Sequence, residues 1–227
     1  MPLSLKHVIK RASQGDRDEG RRPPVLILLH GVGSNEQDLF ALAPKLDPRF
    51  TIVGVRAPLT RGPGSYAWFP VQFVPGGFVI DPEAAEQSRQ LVLQFTGEVV
   101  AEHDLDPQRA YLMGFSQGCI MSLYAALTEP ERYAGVVGMS GRLLPEALPK
   151  LASPERLRGF PLFVVHGTED ATIPISYGRD LRDQLSKLPV ELDYREYPIG
   201  HWVTDETIGD IDVWLKTRLD LPPRALS

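Results

Sequence analysis

The chain alternates short, continuous apolar runs with longer stretches in which apolar positions recur every three or four residues. Val25-Leu26-Ile27-Leu28-Leu29 lies between Pro24 and Gly31, and an unbroken apolar run of this length predicts a strand covered on both faces. Runs over 51–55, 110–113, 135–139 and 162–165 predict further strands of the same kind. The stretch from Val190 to Tyr197 is more polar and belongs nearer a sheet edge. Between these runs lie helical patterns. Asp81-Pro82-Glu83 offers an N-cap, a proline at the first helical position and an acid in the first turn. Ala84, Ala85, Ser88, Leu91, Val92, Phe95 and Val99 then follow at helical spacing. Further helices are expected over 117–127, 177–188 and 207–219, the first apolar enough to be buried.

An N-terminal antiparallel strand is expected at about 4–11, followed by a polar surface turn over 13–24. Strands alternating with helices predict a mostly parallel sheet covered by helices on both faces. No repeat or linker divides the chain, so residues 1–227 read as one α/β domain. Leu59 to Ile80 is a long connection rich in glycine, proline and aromatic residues. Loops of that length inside compact domains are usually functional.

Composition narrows the function. A chain of 227 residues can bury roughly 70–75% of its unfolded surface, so it needs no staple. The net charge of −5 argues against nucleic acid or an anionic membrane as partner. No run of 18 apolar residues offers a membrane span. Met1 to Gly20 lacks the apolar core of a signal peptide. A single cysteine, Cys119, excludes an internal disulfide and points to a reducing, cytoplasmic setting. No two histidines sit at metal-ligand spacing, so no metal is expected.

Chemistry enters at Gly114-Phe115-Ser116-Gln117-Gly118, where a strand runs into a helix. This is G-x-S-x-G in strand–turn–helix context. The sharp turn strains the serine backbone, and glycines two residues to either side avoid steric conflict with it. The hydroxyl then stands at a helix N-terminus, where dipole and free N–H groups favour developing negative charge. A serine nucleophile needs a base and a group that orients the base, here in chain order serine, acid, histidine. His201, in Tyr197-Pro198-Ile199-Gly200-His201-Trp202 beyond the last strand, is the expected base. His7 lies in the N-terminal strand, His103 ends a helix, and His30 and His166 read as scaffolds for their His-Gly turns. Asp170 is the expected acid, with Glu169 beside it and Asp205 farther along as competitors. The oxyanion hole is expected from the backbone N–H of Gln117 and a second N–H in the His30-Gly31-Val32-Gly33 loop, at Val32 or alternatively Gly33.

Leu29-His30-Gly31-Val32-Gly33, the Gly114–Gly118 elbow, Ser140-Gly141, His166-Gly167-Thr168-Glu169-Asp170 and Gly200-His201 occur in this order. Together they resemble the phospholipase/carboxylesterase family of small bacterial carboxylesterases and acyl-protein thioesterases, over Val25 to Leu219. The resemblance implies an α/β-hydrolase fold with seven strands, no cofactor, a Ser116–Asp170–His201 triad and backbone donors at Val32 and Gln117. It implies hydrolysis of short- to medium-chain esters, lysophospholipids or thioesters. Pro70 to Ile80, with Phe73 and Phe78, differs from the thioesterase members, which favours a carboxylesterase acting on a small-molecule acyl ester. The alternative is a thioesterase or lysophospholipase acting on long acyl chains. An inactive binding scaffold is disfavoured, because each catalytic position holds a competent residue. Trp68, Phe69 and Phe73 are expected to line an acyl groove, with packing of the loop as their competing role. Cys119 is expected to pack as a core residue, and Arg142 to be a surface arginine within conceivable reach of an anionic substrate group. A homodimer is compatible with these expectations.

Overall fold

The computed structural model describes residues 3–13, 21–74, 77–222 and 224. Its central sheet has seven strands: β1 (His7–Lys10), β2 (Val25–Leu29), β3 (Thr51–Val55), β8 (Ala110–Phe115), β9 (Gly135–Met139), β10 (Pro161–Gly167) and β11 (Glu191–Tyr197). Two hairpins, β4 (Leu59–Gly62) with β5 (Ser65–Ala67) and β6 (Val71–Val74) with β7 (Gly77–Ile80), occupy the long connection after β3. The helices are α1 (Pro82–Glu102), α2 (Gln117–Thr128), the short α3 (Pro154–Leu157), α4 (Ile175–Leu185) and α5 (Asp205–Asp220).

The sheet order is β1-β3-β2-β8-β9-β10-β11. Only β1 runs antiparallel within it, against β3; the other pairings are parallel. The continuous apolar runs are explained by two cores. Val25, Ile27 and Leu29 face one of them, with α1 and α2, and Leu26 and Leu28 face the other, with α5. Every residue of α2 is buried, as its apolar composition predicts. The Asp81 carboxylate caps α1 by accepting from the N–H groups of Glu83 and Ala84 at 3.0 and 3.1 Å.

The apolar runs place the sheet strands to within a few residues. The first strand is shorter than the 4–11 expected, and β8 and β10 run two residues further toward their carboxyl ends. Residues 59–80 form paired hairpins where the sequence indicated a loop. The direction of strand addition reverses between β2 and β8, and open α/β sheets bind ligands at the carboxyl ends of strands at such a switch point. Ser116 follows β8 and the His30–Gly33 loop follows β2, so both arrive there from adjacent strands.

Candidate active site

Ser116 adopts φ 54° and ψ −115°, a conformation that costs about 1–3 kcal/mol and persists only where its surroundings enforce it. The turn is held by the Ser116 N–H, which donates to the Met139 carbonyl at 2.8 Å. It also needs the two flanking glycines. A Cβ at 118 would lie 1.8 Å from the Leu29 carbonyl oxygen, and one at 114 would lie 2.2 Å from the Gly118 carbonyl oxygen. The glycines thus let the elbow close against the end of β2. Gln117 begins α2 immediately after the serine.

The acid and the base come from loops bound to each other through backbone. Thr168 N–H donates to Tyr197 O at 2.8 Å and Glu169 N–H to Ile199 O at 3.0 Å. A Cβ on Gly167 would meet the Ile199 carbonyl oxygen at 2.3 Å, so only glycine allows this approach. The Asp170 carboxylate is fully shielded. Its Oδ2 lies 2.6 Å from His201 Nδ1, and its Oδ1 accepts from the N–H groups of Thr172 and Ile173 at 2.9 and 2.7 Å. Of the competing acids, Glu169 is exposed, and Asp205 is exposed and paired with Lys45. The His201 ring packs against Phe115, centroid to centroid 4.8 Å.

Ser116 and His201 line one cleft of about 220 Å³, together with Gly31, Val32 and Gln117. Among the described residues no hydrogen bond joins the Ser116 hydroxyl to His201. Such contacts are often long without substrate and tighten in the Michaelis complex. Phe69, Val71, Phe78, Ile120 and Ile173 give the remaining wall an apolar character.

The histidines of the two His-Gly turns are structural, as expected. His30 Nδ1 donates to Gly31 O at 2.7 Å, while its Nε2 accepts from Ala57 N–H at 3.1 Å. His166 Nε2 donates to Ile173 O at 2.8 Å and lies 3.7 Å from Asp170 Oδ2, bracing the acid loop. Burial lowers the pKa of both rings. Cys119 is buried, its thiol pushed up to about 12 by desolvation, so it packs as core rather than reacting.

Two sequence expectations change, one alternative falls away and one lies outside the described residues. Trp68 does not line the cleft: it is fully buried, and its Nε1 donates to His30 O at 3.0 Å. Gly33 is not a free donor, because its N–H is taken by Tyr66 O at 2.8 Å, leaving Val32. The Phe73 side chain lies outside the described residues, so its placement at the acyl groove is not described. Arg142 is half-buried rather than a surface residue. Phe69 does reach the cleft. Sequence reasoning also missed a role for the Gln117 side chain. Its Oε1 accepts from Trp68 N–H and its Nε2 donates to Phe69 O, both at 2.8 Å, so the residue after the nucleophile also clamps the opposite wall. Thr172, Ile173 and Ile120 were missed as lining residues; the positions of Ile120, one turn into the helix, and Ile173, just after the acid, were the available signals.

The profile of the phospholipase/carboxylesterase family matches residues 16–219. The chain belongs to this family. It is similar to acyl-protein thioesterase 1 of Kluyveromyces lactis, at 27% identity over 97% of this chain and 100% of that protein. It is also similar to carboxylesterase SOBER1 of Arabidopsis thaliana, at 26% identity over 67% of this chain and 68% of the relative. Among solved structures, the Bacillus cereus carboxylesterase superposes with a TM-score of 0.79 at 23% identity, covering 95% of each chain. The Mesorhizobium loti carboxylesterase has the same TM-score and identity over 94% of this chain and 95% of that one; likeness at this identity speaks to the fold alone. Members of the phospholipase/carboxylesterase family are esterases and thioesterases, and this chain is a hydrolase of the α/β-hydrolase type. Among the described residues no helix is long and apolar enough to cross a membrane.

Proposed function

We propose that the chain is a serine carboxylesterase that cleaves short- to medium-chain acyl esters through an acyl-enzyme on Ser116. The observation that carries this reading is the 2.6 Å contact of His201 Nδ1 with the buried Asp170 carboxylate, made beside a cleft that also holds the strained Ser116. With both oxygens of Asp170 accepting, Nδ1 carries the ring proton and Nε2 is left as the acceptor. His201 Nε2 takes the Ser116 Oγ proton as Oγ attacks the ester carbonyl carbon. The carbonyl oxygen becomes an oxyanion held by the N–H groups of Val32 and Gln117, each such donor contributing about 3–4 kcal/mol. The C–O bond to the alcohol breaks, and the alcohol leaves with the proton from His201. Water then repeats the sequence: His201 takes its proton, hydroxide adds to the acyl carbon, and Ser116 leaves reprotonated. Asp170 keeps the ring oriented and stabilises the transient imidazolium. The chain works in this account as one α/β-hydrolase domain in a reducing, cytoplasmic setting.

The cleft of about 220 Å³ is small beside the 300–1,000 Å³ usual for drug-sized ligands, which supports short or medium acyl chains. One observation favours a second reading, action on long acyl thioesters: the similarity to a protein named acyl-protein thioesterase extends over 97% of the chain. A chain-length series of nitrophenyl esters, run beside a long-chain thioester and a lysophospholipid, separates the two. Activity peaking at short acyl chains, of about two to four carbons, is the expected outcome. A maximum at eight carbons or beyond, with the thioester preferred, would replace the carboxylesterase reading by the thioesterase one.

A further inference from the structure

Arg142 packs on Phe78, a residue of the cleft wall, and is a charged group that the proposed chemistry does not use. It follows Ser140, which has φ 49°, and Gly141, whose Cβ position lies 3.3 Å from the Ser116 carbonyl oxygen. Its backbone therefore starts one residue from the wall of the nucleophile elbow. The guanidinium carbon sits 3.7 Å from the centroid of the Phe78 ring and 5.9 Å from that of Tyr177. Those two rings are themselves 5.8 Å apart. Phe78 belongs to the cleft wall, as do Thr172 and Ile173.

The charge is poorly compensated. Arg142 Nε is buried with no hydrogen-bond partner, and no carboxylate lies within ion-pair distance of the guanidinium among the described residues. Glu146 attracts it from a distance, but one Glu146 carboxylate oxygen is likewise buried and without a partner. Desolvation lowers the Arg142 pKa. Stacking on aromatic rings offsets only part of such a penalty, and a half-buried cation without a counter-charge is otherwise costly. Stacking uses the faces of the guanidinium plane, whereas a carboxylate is bound bidentately along its edge. The aromatic packing is thus compatible with an anion at the edge. The acid that lines the cleft, Asp38, is engaged by the Ser34 hydroxyl at 2.7 Å and follows the loop after β2, whereas Arg142 is associated with Phe78 and Tyr177.

We infer that Arg142 is a specificity residue for a carboxylate on the substrate, so that half-esters of short dicarboxylic acids are preferred over neutral esters of the same shape. The inference rests on the carboxylesterase reading and names the substrate class within it. A single guanidinium among apolar side chains suits a singly charged carboxylate and its two oxygens. The bond cleaved is unchanged; the second carboxylate only positions the acyl chain.

The test compares monomethyl glutarate with methyl 5-methylhexanoate, in which an isopropyl group replaces the carboxylate, by pH-stat in the wild type, R142Q and R142K. The wild type is expected to show a kcat/KM at least tenfold higher for the half-ester. In R142Q that ratio falls at least tenfold, mainly through KM, and R142K falls between because lysine lacks the two-pronged donor. Inhibition of neutral-ester hydrolysis in the wild type gives a readout independent of how the variants fold: glutaramate, with one carboxylate, should compete at a concentration at least tenfold below that of the uncharged glutaramide. A wild type that hydrolyses the neutral ester without preferring the half-ester, or a preference unchanged in R142Q, overturns the role of Arg142 while leaving the esterase reading standing. Equal potency of the two inhibitors overturns it as well. Hydrolysis of neither ester removes both.

Discussion

On one side of the cleft, a Cβ added at Gly114, Gly118 or Gly167 would come within 2.3 Å of a backbone atom, whereas Gly62 and Gly64, in the hairpin connection, have nothing within 4 Å of that position. The first side, comprising the elbow, the end of β2 and the acid loop, is built by main chain pressed on main chain. The second side, residues 59–74 and 77–80, meets the loop after β2 in one main-chain bridge, Gly33 and Ser34 with Tyr66, and is held largely by side chains: the Gln117 amide on Trp68 and Phe69, the Trp68 indole on His30, and the Ser88 hydroxyl on the Trp68 carbonyl. The positions of the reacting groups therefore depend on steric exclusions that few residues satisfy. The shape of the substrate pocket depends on packing that many residues could supply. Chemistry conserved by geometry and selectivity open to change are the expected consequence.

The largest effect that would sharpen this contrast lies at the acid. Asp170→Asn should lower kcat by about 10³–10⁴, because His201 loses the partner that sets its tautomer. Glu169→Gln, one residue away and exposed, should change kcat less than about threefold, as expected for a surface substitution. Steady-state kinetics on a short nitrophenyl ester decides between them, and a reversed order would move the acid to Glu169.

Next in size is the pair of glycines themselves. Gly118→Ala puts a methyl group 1.8 Å from the Leu29 carbonyl oxygen and should cost more than about 3 kcal/mol, the range of severe backbone and packing conflicts. Gly62→Ala meets nothing and should fall within about 0.5 kcal/mol of the wild type. Urea unfolding measures both. Equal losses would erase the distinction between the two sides.

The smallest effect concerns pH. Burial holds the folded pKa of His30 and His166 below the ordinary 6.5, so between the folded and unfolded values the unfolded chain binds more protons. Their contribution to stability is thus present above about pH 6.5 and is lost as the pH falls toward the folded values. Tm should drop from pH 7.5 to 5.5, and His166→Asn should flatten part of that drop. The rate lost in His166→Asn should stay far below that lost in His201→Gln, which removes the proposed base. The reverse order would reassign the base.

The same contrast explains what could be read in the sequence. Strands such as Val25–Leu29 were legible because burial on both faces demands continuous apolar residues. The turn at Ser116 and the loops that bring Asp170 to His201 were legible because turns that need glycine leave marks in linear sequence. The hairpins at 59–80 were not, since their strands are short and tied down by tertiary contacts. Trp68 was misplaced for a related reason: nothing in a Trp-Phe pair tells which ring faces the cleft and which bonds back to His30. The Gln117 clamp joins residues 48 and 49 positions apart, and the stack of Arg142 on Phe78 likewise spans elements distant in the chain. Neither has a local pattern.

The central claim, that Ser116 is the nucleophile, is tested most directly by labelling with a fluorophosphonate probe and locating the adduct by peptide mass spectrometry. One adduct per chain, on Ser116, is predicted, with none in Ser116→Ala and a loss of about 10⁴–10⁶ in kcat for that variant. An adduct on Cys119 or another residue, or activity retained in Ser116→Ala, would contradict it.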